Sequence, residues 1–177
     1  MIDYLKKYSL PFGLKKTTKL SASRRPSLSY ADANKILLFF SSEGNQKMAL
    51  IRSYINKFKK DGKTVKCFYF VLKDEDKPDV GLDDGMEKLR VEEFAFFGKI
   101  ESDKVKGLLN EDFDFMIHAD VESNIYTDII MAKAKSKCRV GNYFEDKESL
   151  YEMMISMPNE KTTSVLMGQI YHYIKRL

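Results

Sequence analysis

The chain has 177 residues, of which 44% are hydrophobic and 32% charged, and its formal net charge is +4. That length suits one domain of about 100–200 residues. The apolar content excludes a disordered chain, which cannot bury enough surface to offset the entropy of ordering. The sequence contains no run of about 18 apolar residues and no secretory signal at its start, so it predicts one cytoplasmic domain.

The basic residues are concentrated at the start of the chain. Residues 1–30 contain seven basic residues and one acidic residue, whereas the rest contains 23 basic and 25 acidic residues. A short helix is predicted over 2–10 because Pro11 cannot continue it. The polar, serine-rich sequence that follows predicts an extended arm, so we expect an arm over 1–33 and a domain over 34–177.

Short apolar runs and amphipathic segments alternate along this domain. In chain order, the pattern predicts a strand at 35–41, a helix at 45–60, a strand at 64–72, an acidic loop at 73–85, a strand at 92–98, a helix at 102–111, a strand at 114–119, a helix at 124–135, a strand at 137–143, a strand or helix at 150–157 and a helix at 163–177. Continuous apolar runs are typical of parallel strands covered on both faces. Strands that alternate with helices indicate βαβ units. The predicted fold class is therefore α/β, with a single doubly wound, mostly parallel, Rossmann-like sheet and helices on both faces.

In such a sheet, ligands bind outside the carboxyl ends of the strands. The loop after the first strand offers a flexible, polar sequence before a helix: Ser41, Ser42, Glu43, Gly44 and Asn45. It matches neither GxGxxG nor GxxxxGK[ST], so a dinucleotide or P-loop site is disfavoured. The alternative is an ordinary turn in which Ser42 or Asn45 caps the helix.

The loop after the predicted strand 114–119 is a second candidate site. His118 and Asp120 lie two residues apart in an extended segment, which places them on one side and allows an acid–base pair. The alternative is a structural histidine, with Ser123 or Asn124 capping the next helix. The third candidate is Gly141, where a missing side chain permits close backbone approach, although a strand end is the alternative.

No metal or cofactor is predicted. Cys67 and Cys138 lie in apolar strand-like runs without metal-ligand spacing, so we expect buried structural thiols. The acidic loop misses the EF-hand register, because Arg90 stands where the closing Glu would be if Asp79 were first.

Two surfaces are candidates for a partner. The clustered basic residues of 1–25 are suited to nucleic acid or an anionic membrane surface, because they displace counterions; a solvated tail is the alternative. These residues are Lys6, Lys7, Lys15, Lys16, Lys19, Arg24 and Arg25. A homodimer is possible through one face of the last helix, formed by Leu166, Ile170, Tyr173, Ile174 and Leu177, whose alternative is packing on the sheet.

Two stretches carry a resemblance to known families: Phe113-Asp-Phe-Met-Ile-His-Ala-Asp120 and, after a helix, Ala132-Lys-Ala-Lys-Ser-Lys-Cys-Arg-Val-Gly-Asn-Tyr143. Over nearly the whole chain the sequence resembles an uncharacterised bacterial family, a domain of unknown function, which implies no activity. The same block is similar to the acceptor-side N-terminal domain of heptosyltransferase-like GT-B glycosyltransferases. The chain ends where the nucleotide-sugar-binding second domain of those enzymes would begin.

The sequence thus predicts a fold and bounds the function. The first hypothesis is a non-catalytic or cryptic Rossmann-like module that binds a partner or a small ligand, because the fold lacks every standard catalytic motif. The second is a glycosyltransferase-like enzyme, which requires the 41–45 loop, Asp120 and Gly141 to surround one open pocket. The third is an adaptor that docks on an anionic surface through residues 1–25.

Overall fold

A computed structural model describes residues 28–73, 78–79, 81, 85–94, 100, 102–157 and 159–177. In chain order the elements are β1 (Lys35–Ser41), α1 (Asn45–Lys60), β2 (Thr64–Phe70), β3 (Glu87–Leu89), α2 (Asp103–Asn110), β4 (Asp112–His118), α3 (Ile125–Lys133), β5 (Lys135–Asn142), β6 (Met153–Ile155) and α4 (Thr163–Ile174). The predicted helix at 2–10 and the basic arm up to residue 27 lie outside the described residues.

The strands form one six-stranded sheet in the order β3-β2-β1-β4-β5-β6, and every neighbouring pair is parallel. This is the doubly wound order of Rossmann folds, so the predicted fold class is confirmed. The chain moves outward in one direction from β1 and in the other from β4. The carboxyl ends of β1 and β4 therefore flank the switch point of the topology.

Both faces of the sheet are apolar because helices cover both. On β1, Ile36, Leu38 and Phe40 belong to the cluster that contains the buried residues of α1 and α4. Leu37 and Phe39 point to the opposite cluster, which contains the buried residues of α2 and α3. A continuous apolar run is what burial on both faces requires.

The third strand was predicted at 92–98, and the described part of that range, 92–94, is not a strand, whereas 95–98 lie outside the described residues. β3 is Glu87–Leu89, whereas 91–93 form a 3-10 turn and Phe94 makes only an isolated antiparallel bridge to Ile100. The turn forms because Glu93 accepts hydrogen bonds from the Arg90 amide (2.7 Å) and the Ser102 hydroxyl (2.8 Å). The predicted apolar run supplies an aromatic anchor, since Phe94 packs on Phe70 with 5.6 Å between ring centroids.

The helix cap predicted at Ser42 or Asn45 was also wrong. The N-cap of α1 is Gly44, and no side chain caps the helix. Gly44 has φ of 83°, a left-handed conformation that glycine adopts without steric cost. The Asn45 side chain instead donates to the Asp79 carboxylate at 2.6 Å.

The remaining predicted helices and strands of the described residues are confirmed to within a few residues, and 150–157 contains the strand β6. Most of the predicted acidic loop, at 74–77, 80 and 82–84, lies outside the described residues. Cys67 and Cys138 are buried, and no disulfide joins these two described cysteines. In α4, Leu166, Ile170 and Ile174 are fully buried in the core and Tyr173 is exposed, and Leu177, three residues after the end of the helix, is also exposed. That helix face is therefore used mainly within the molecule, and a homodimer stays a prediction.

Candidate functional site

The switch point brings the loops after β1 and β4 together. Phe39 on β1 is in register with His118 on β4, so the chain continues from both strands at the same edge. There the Ser41 amide donates to both carboxylate oxygens of Asp120, each at 2.9 Å. Two of the residues predicted to lie at a common site are thus in direct contact.

Asp120 is the centre of a buried ionic network. Its Oδ1 accepts from Lys47 Nζ at 2.9 Å and its Oδ2 accepts from His118 Nε2 at 3.1 Å. The Lys47 ammonium group also donates a hydrogen bond to Glu43 at the surface, with 2.5 Å between Nζ and Oε1. Lys47, His118 and Asp120 are 5%, 0% and 2% exposed, so this polar network is sealed from solvent.

Asp120 is held in its charged form. Burial alone would raise its pKa, but the hydrogen bond and charge of His118 and the charge and hydrogen bond of Lys47 lower the pKa below its ordinary value. Because an ionised carboxylate only accepts hydrogen bonds, His118 Nε2 carries a proton. The opposite nitrogen, Nδ1, shares a hydrogen bond with Tyr151 Oη at 2.8 Å.

Tyr151 completes the network through its hydrogen bond with His118. Burial, followed by the charges of Asp128 and Asp120, raises the pKa of the Tyr151 phenol, which stays neutral. Its ring occupies the space over Gly141, where an added Cβ would lie 2.6 Å from Tyr151 Cε1. Gly141 is therefore required by the packing of an internal side chain.

These contacts fill the crevice between β1 and β4. Asp120 and His118 are buried, and Gly141 is covered by Tyr151, so they do not surround an open pocket with the 41–45 loop. The open pocket that a glycosyltransferase-like site requires is not formed by these residues. What the arrangement does is lock the loops after β1 and β4 to each other and to the start of α1.

The other predicted site residues have structural partners. Ser41 Oγ accepts from Asn124 Nδ2 at 2.8 Å, and Asn124 Oδ1 caps α3 by accepting from two backbone amides. The Ser42 amide donates to the Phe70 carbonyl at 2.7 Å. Ser123 accepts a hydrogen bond from Lys147 Nζ. The predicted anionic-surface residues Lys6, Lys7, Lys15, Lys16, Lys19, Arg24 and Arg25 lie outside the described residues.

An open pocket of about 530 Å³ lies beside the sealed network, at the carboxyl ends of β4 and β5. We call it the rim pocket; it is lined by Val121, Glu122, Ser123, Asn142, Tyr143, Phe144, Glu145, Lys147 and Lys161. Asn142 Nδ2 donates to the Val121 carbonyl at 2.7 Å, which ties the two loops together beneath it. The pocket therefore has a fixed base and an open mouth.

Lys147 connects the rim pocket to the protein beneath. Its Nζ lies 2.6 Å from Asp128 Oδ2, and Asp128 is 3% exposed. The second oxygen, Asp128 Oδ1, is buried without a hydrogen-bond partner among the described residues. The positive charge of Lys147 is thus balanced from below by a buried carboxylate.

Sequence reasoning missed Lys47, Tyr151 and Lys147. Lys47 carried a usable signal, because it falls on the stripe of buried residues that includes Ile51 and Tyr54, where a lysine needs an acidic partner. Tyr151 carried none, since it lies in an irregular segment 33 residues from His118.

Neither a metal site nor a membrane span emerges from the described part of the chain. No three of its His, Cys, Asp and Glu side chains are grouped so that they could hold a metal ion. None of its helices has the length and apolar character needed to cross a bilayer.

A family model of unknown function, DUF6913, matches residues 6–177. The chain belongs to this family. No curated protein and no solved structure matches it, so the glycosyltransferase resemblance gains no support from these comparisons. The match begins well before β1, so the family model includes most of the basic arm as well as the sheet.

Proposed function

We propose that this chain is a non-catalytic Rossmann-like binding module whose ligand site is the rim pocket. The observation that carries the proposal is the contrast at one edge of the sheet. The crevice at the switch point is filled by its own buried network, while an open pocket of about 530 Å³ lies next to it over β4 and β5. In open α/β sheets, ligands bind at this edge.

The chemistry of the network supports binding rather than catalysis. A general acid or base must come within hydrogen-bond reach of a substrate atom. His118 and Asp120 are buried, and their hydrogen bonds are made to Tyr151, Lys47 and the Ser41 amide. We infer that the network holds the rim in shape.

The test is a thermal-shift screen of the full chain against nucleotides, nucleotide sugars, phosphosugars and amino acids. A compound that binds only the folded state raises the melting temperature. We expect a ligand whose stabilising effect is lost in Tyr143→Leu, which alters the exposed ring in the pocket. Tyr173→Leu is the matched control, because Tyr173 is similarly exposed, at 45% against 49%, but lies on α4 outside this pocket.

Two results would count against this proposal. If every stabilising compound acts equally on wild type and Tyr143→Leu, the rim pocket is not the site. If a hit is turned over by the protein and the turnover is abolished by His118→Gln, the module is an enzyme.

The charge asymmetry supports a second candidate, an adaptor that docks on an anionic surface. Residues 1–30 contain seven basic residues and one acidic residue. Removing 1–25 should abolish salt-dependent binding to acidic vesicles or DNA, because the counterions released come from those contacts. Unchanged binding of the truncated chain would contradict this candidate. A cytoplasmic location, in which either function would operate, stays a prediction.

A further inference from the structure

The rim pocket is lined by charges of both signs that do not pair with one another. Glu122, Glu145 and Lys161 are exposed, and none of them forms a hydrogen bond or ion pair through its side chain in the described part of the chain. Opposite charges within 4 Å of each other would have formed a salt bridge. A molecule that enters between them can complement both signs at once.

The ammonium group of Lys147 adds no available charge to the rim pocket. Its charge is already matched by Asp128 and its Nζ also donates to Ser123, so it offers little to a ligand. The available charges are therefore two carboxylates and one ammonium group. A simple anion would meet the two carboxylates, and a simple cation would meet Lys161.

The aromatic rings of the pocket favour a cationic group beside the carboxylates. Tyr143 is 49% exposed, and Phe144 lines the pocket next to it. Aromatic faces attract ammonium groups, and Lys147 Nζ already lies 5.7 Å from the centroid of the Phe144 ring. Tyr143, about half of which is exposed, remains available to a ligand.

We propose that the rim pocket binds a small zwitterion, in which an amine or quaternary ammonium group is joined to a carboxylate or phosphate. This inference rests on the proposed function. The cationic end faces Glu122, Glu145 and the Tyr143 ring, and the anionic end pairs with Lys161. A ligand of this class places an opposite charge beside the carboxylates and beside Lys161 in one binding event.

The experiment measures dissociation constants by NMR titration of the full chain. The probes are glycine betaine, with tetramethylammonium and acetate as its separate halves, and phosphoethanolamine, with ethylammonium and inorganic phosphate as its separate halves. We expect each zwitterion to bind at least about tenfold more tightly than either of its halves, because two charged contacts form in one binding event.

Two variants of the rim pocket test the contacts of the two ends of the ligand separately. Lys161→Gln should weaken the zwitterion about tenfold and leave tetramethylammonium unchanged. Glu145→Gln should weaken both the zwitterion and tetramethylammonium. Lys60→Gln and Glu92→Gln are the matched controls, since both side chains are exposed and outside the pocket, and neither should change any dissociation constant.

Each result decides the inference. If one half binds as tightly as the zwitterion, or if Lys161→Gln and Lys60→Gln behave alike, the zwitterion assignment is overturned. The proposed function survives that outcome if some other stabilising compound still depends on Tyr143. If no compound of either panel depends on the pocket variants, both proposals fail.

Discussion

Lys47 is the residue on which the switch-point network most depends. It is 5% exposed, and its ammonium group lies 2.9 Å from the buried Asp120 carboxylate. Lys47→Met would leave that carboxylate without its cation, and removing one partner of a buried pair costs about 3–5 kcal/mol. We expect this loss in the free energy of unfolding, measured by urea denaturation at pH 7. Lys106→Met is the control, because its partner Asp103 is fully exposed and the loss of their contact should have little effect.

The same network predicts a dependence on pH. The folded-state pKa of Asp120 is below the ordinary 3.8, so its stabilising contribution is present above that value and is lost as the pH falls through the folded pKa. The stability difference between wild type and Lys47→Met should therefore narrow in acid. Denaturation curves at pH 7 and at about pH 3 measure it. A difference that stays constant would show that Asp120 is not ionised beside Lys47.

Gly141 gives an independent test of the closed crevice. An added Cβ would lie 2.6 Å from Tyr151 Cε1 and 3.4 Å from His118 Cβ. Gly141→Ala should therefore lower the free energy of unfolding by about 1–3 kcal/mol through overpacking. Gly107→Ala, on an exposed helical position where an added Cβ meets nothing within 4 Å, should be neutral or stabilising. Equal effects of the two substitutions would mean that Tyr151 does not occupy this space.

At the scale of elements, β6 is held at the sheet edge by a buried ion pair. Arg139 donates through Nε (2.9 Å) and Nη2 (2.7 Å) to the two oxygens of Glu152, and the Glu152 amide donates to the Arg139 carbonyl. Glu152→Gln should speed hydrogen exchange of the Glu152 amide and of β6 by at least about tenfold, without changing β1. Glu148→Gln, at a neighbouring exposed position, is the control. If the amides of β6 exchange at the same rate in Glu152→Gln and Glu148→Gln, the ion pair does not anchor this strand.

The elements also show which structural information is local. β1 and α1 could be predicted to the residue, because seven mostly apolar residues precede a long helical stripe. β3 could not, because only Leu89 of its three residues is buried and its position is fixed by pairing with Phe68, Tyr69 and Phe70 on β2. Phe94, the described aromatic residue after it, follows a 3-10 turn and packs on Phe70 instead.

The candidate site, too, could be predicted only in part from the sequence. The parallel-sheet rule was sufficient to bring Ser41 and Asp120 to one edge. It could not show that the crevice is full, because that depends on Tyr151 from an irregular segment and on Lys47 from a helix. The rim pocket could not be predicted either, because it forms only where the loops after β4 and β5 meet the segment before α4.

At the scale of the molecule, one edge of the sheet contains a rigid part and an open part. The network around Asp120 fixes the loops after β1 and β4, and the rim pocket uses the second of these loops as a wall. A preorganised wall reduces the entropy lost when a ligand binds. The network and the pocket are therefore linked in the proposed function without any direct contact between ligand and His118.

The most direct measurement is the map of backbone amide shifts in the full chain when a stabilising zwitterion is added. The largest shifts should fall on 121–123, 142–147 and 161, around the rim pocket. Ser41, Lys47 and 118–120 should change little, because these residues are buried. Shifts concentrated at 41–47 and His118 would instead place the ligand in the switch-point crevice and contradict the proposed function.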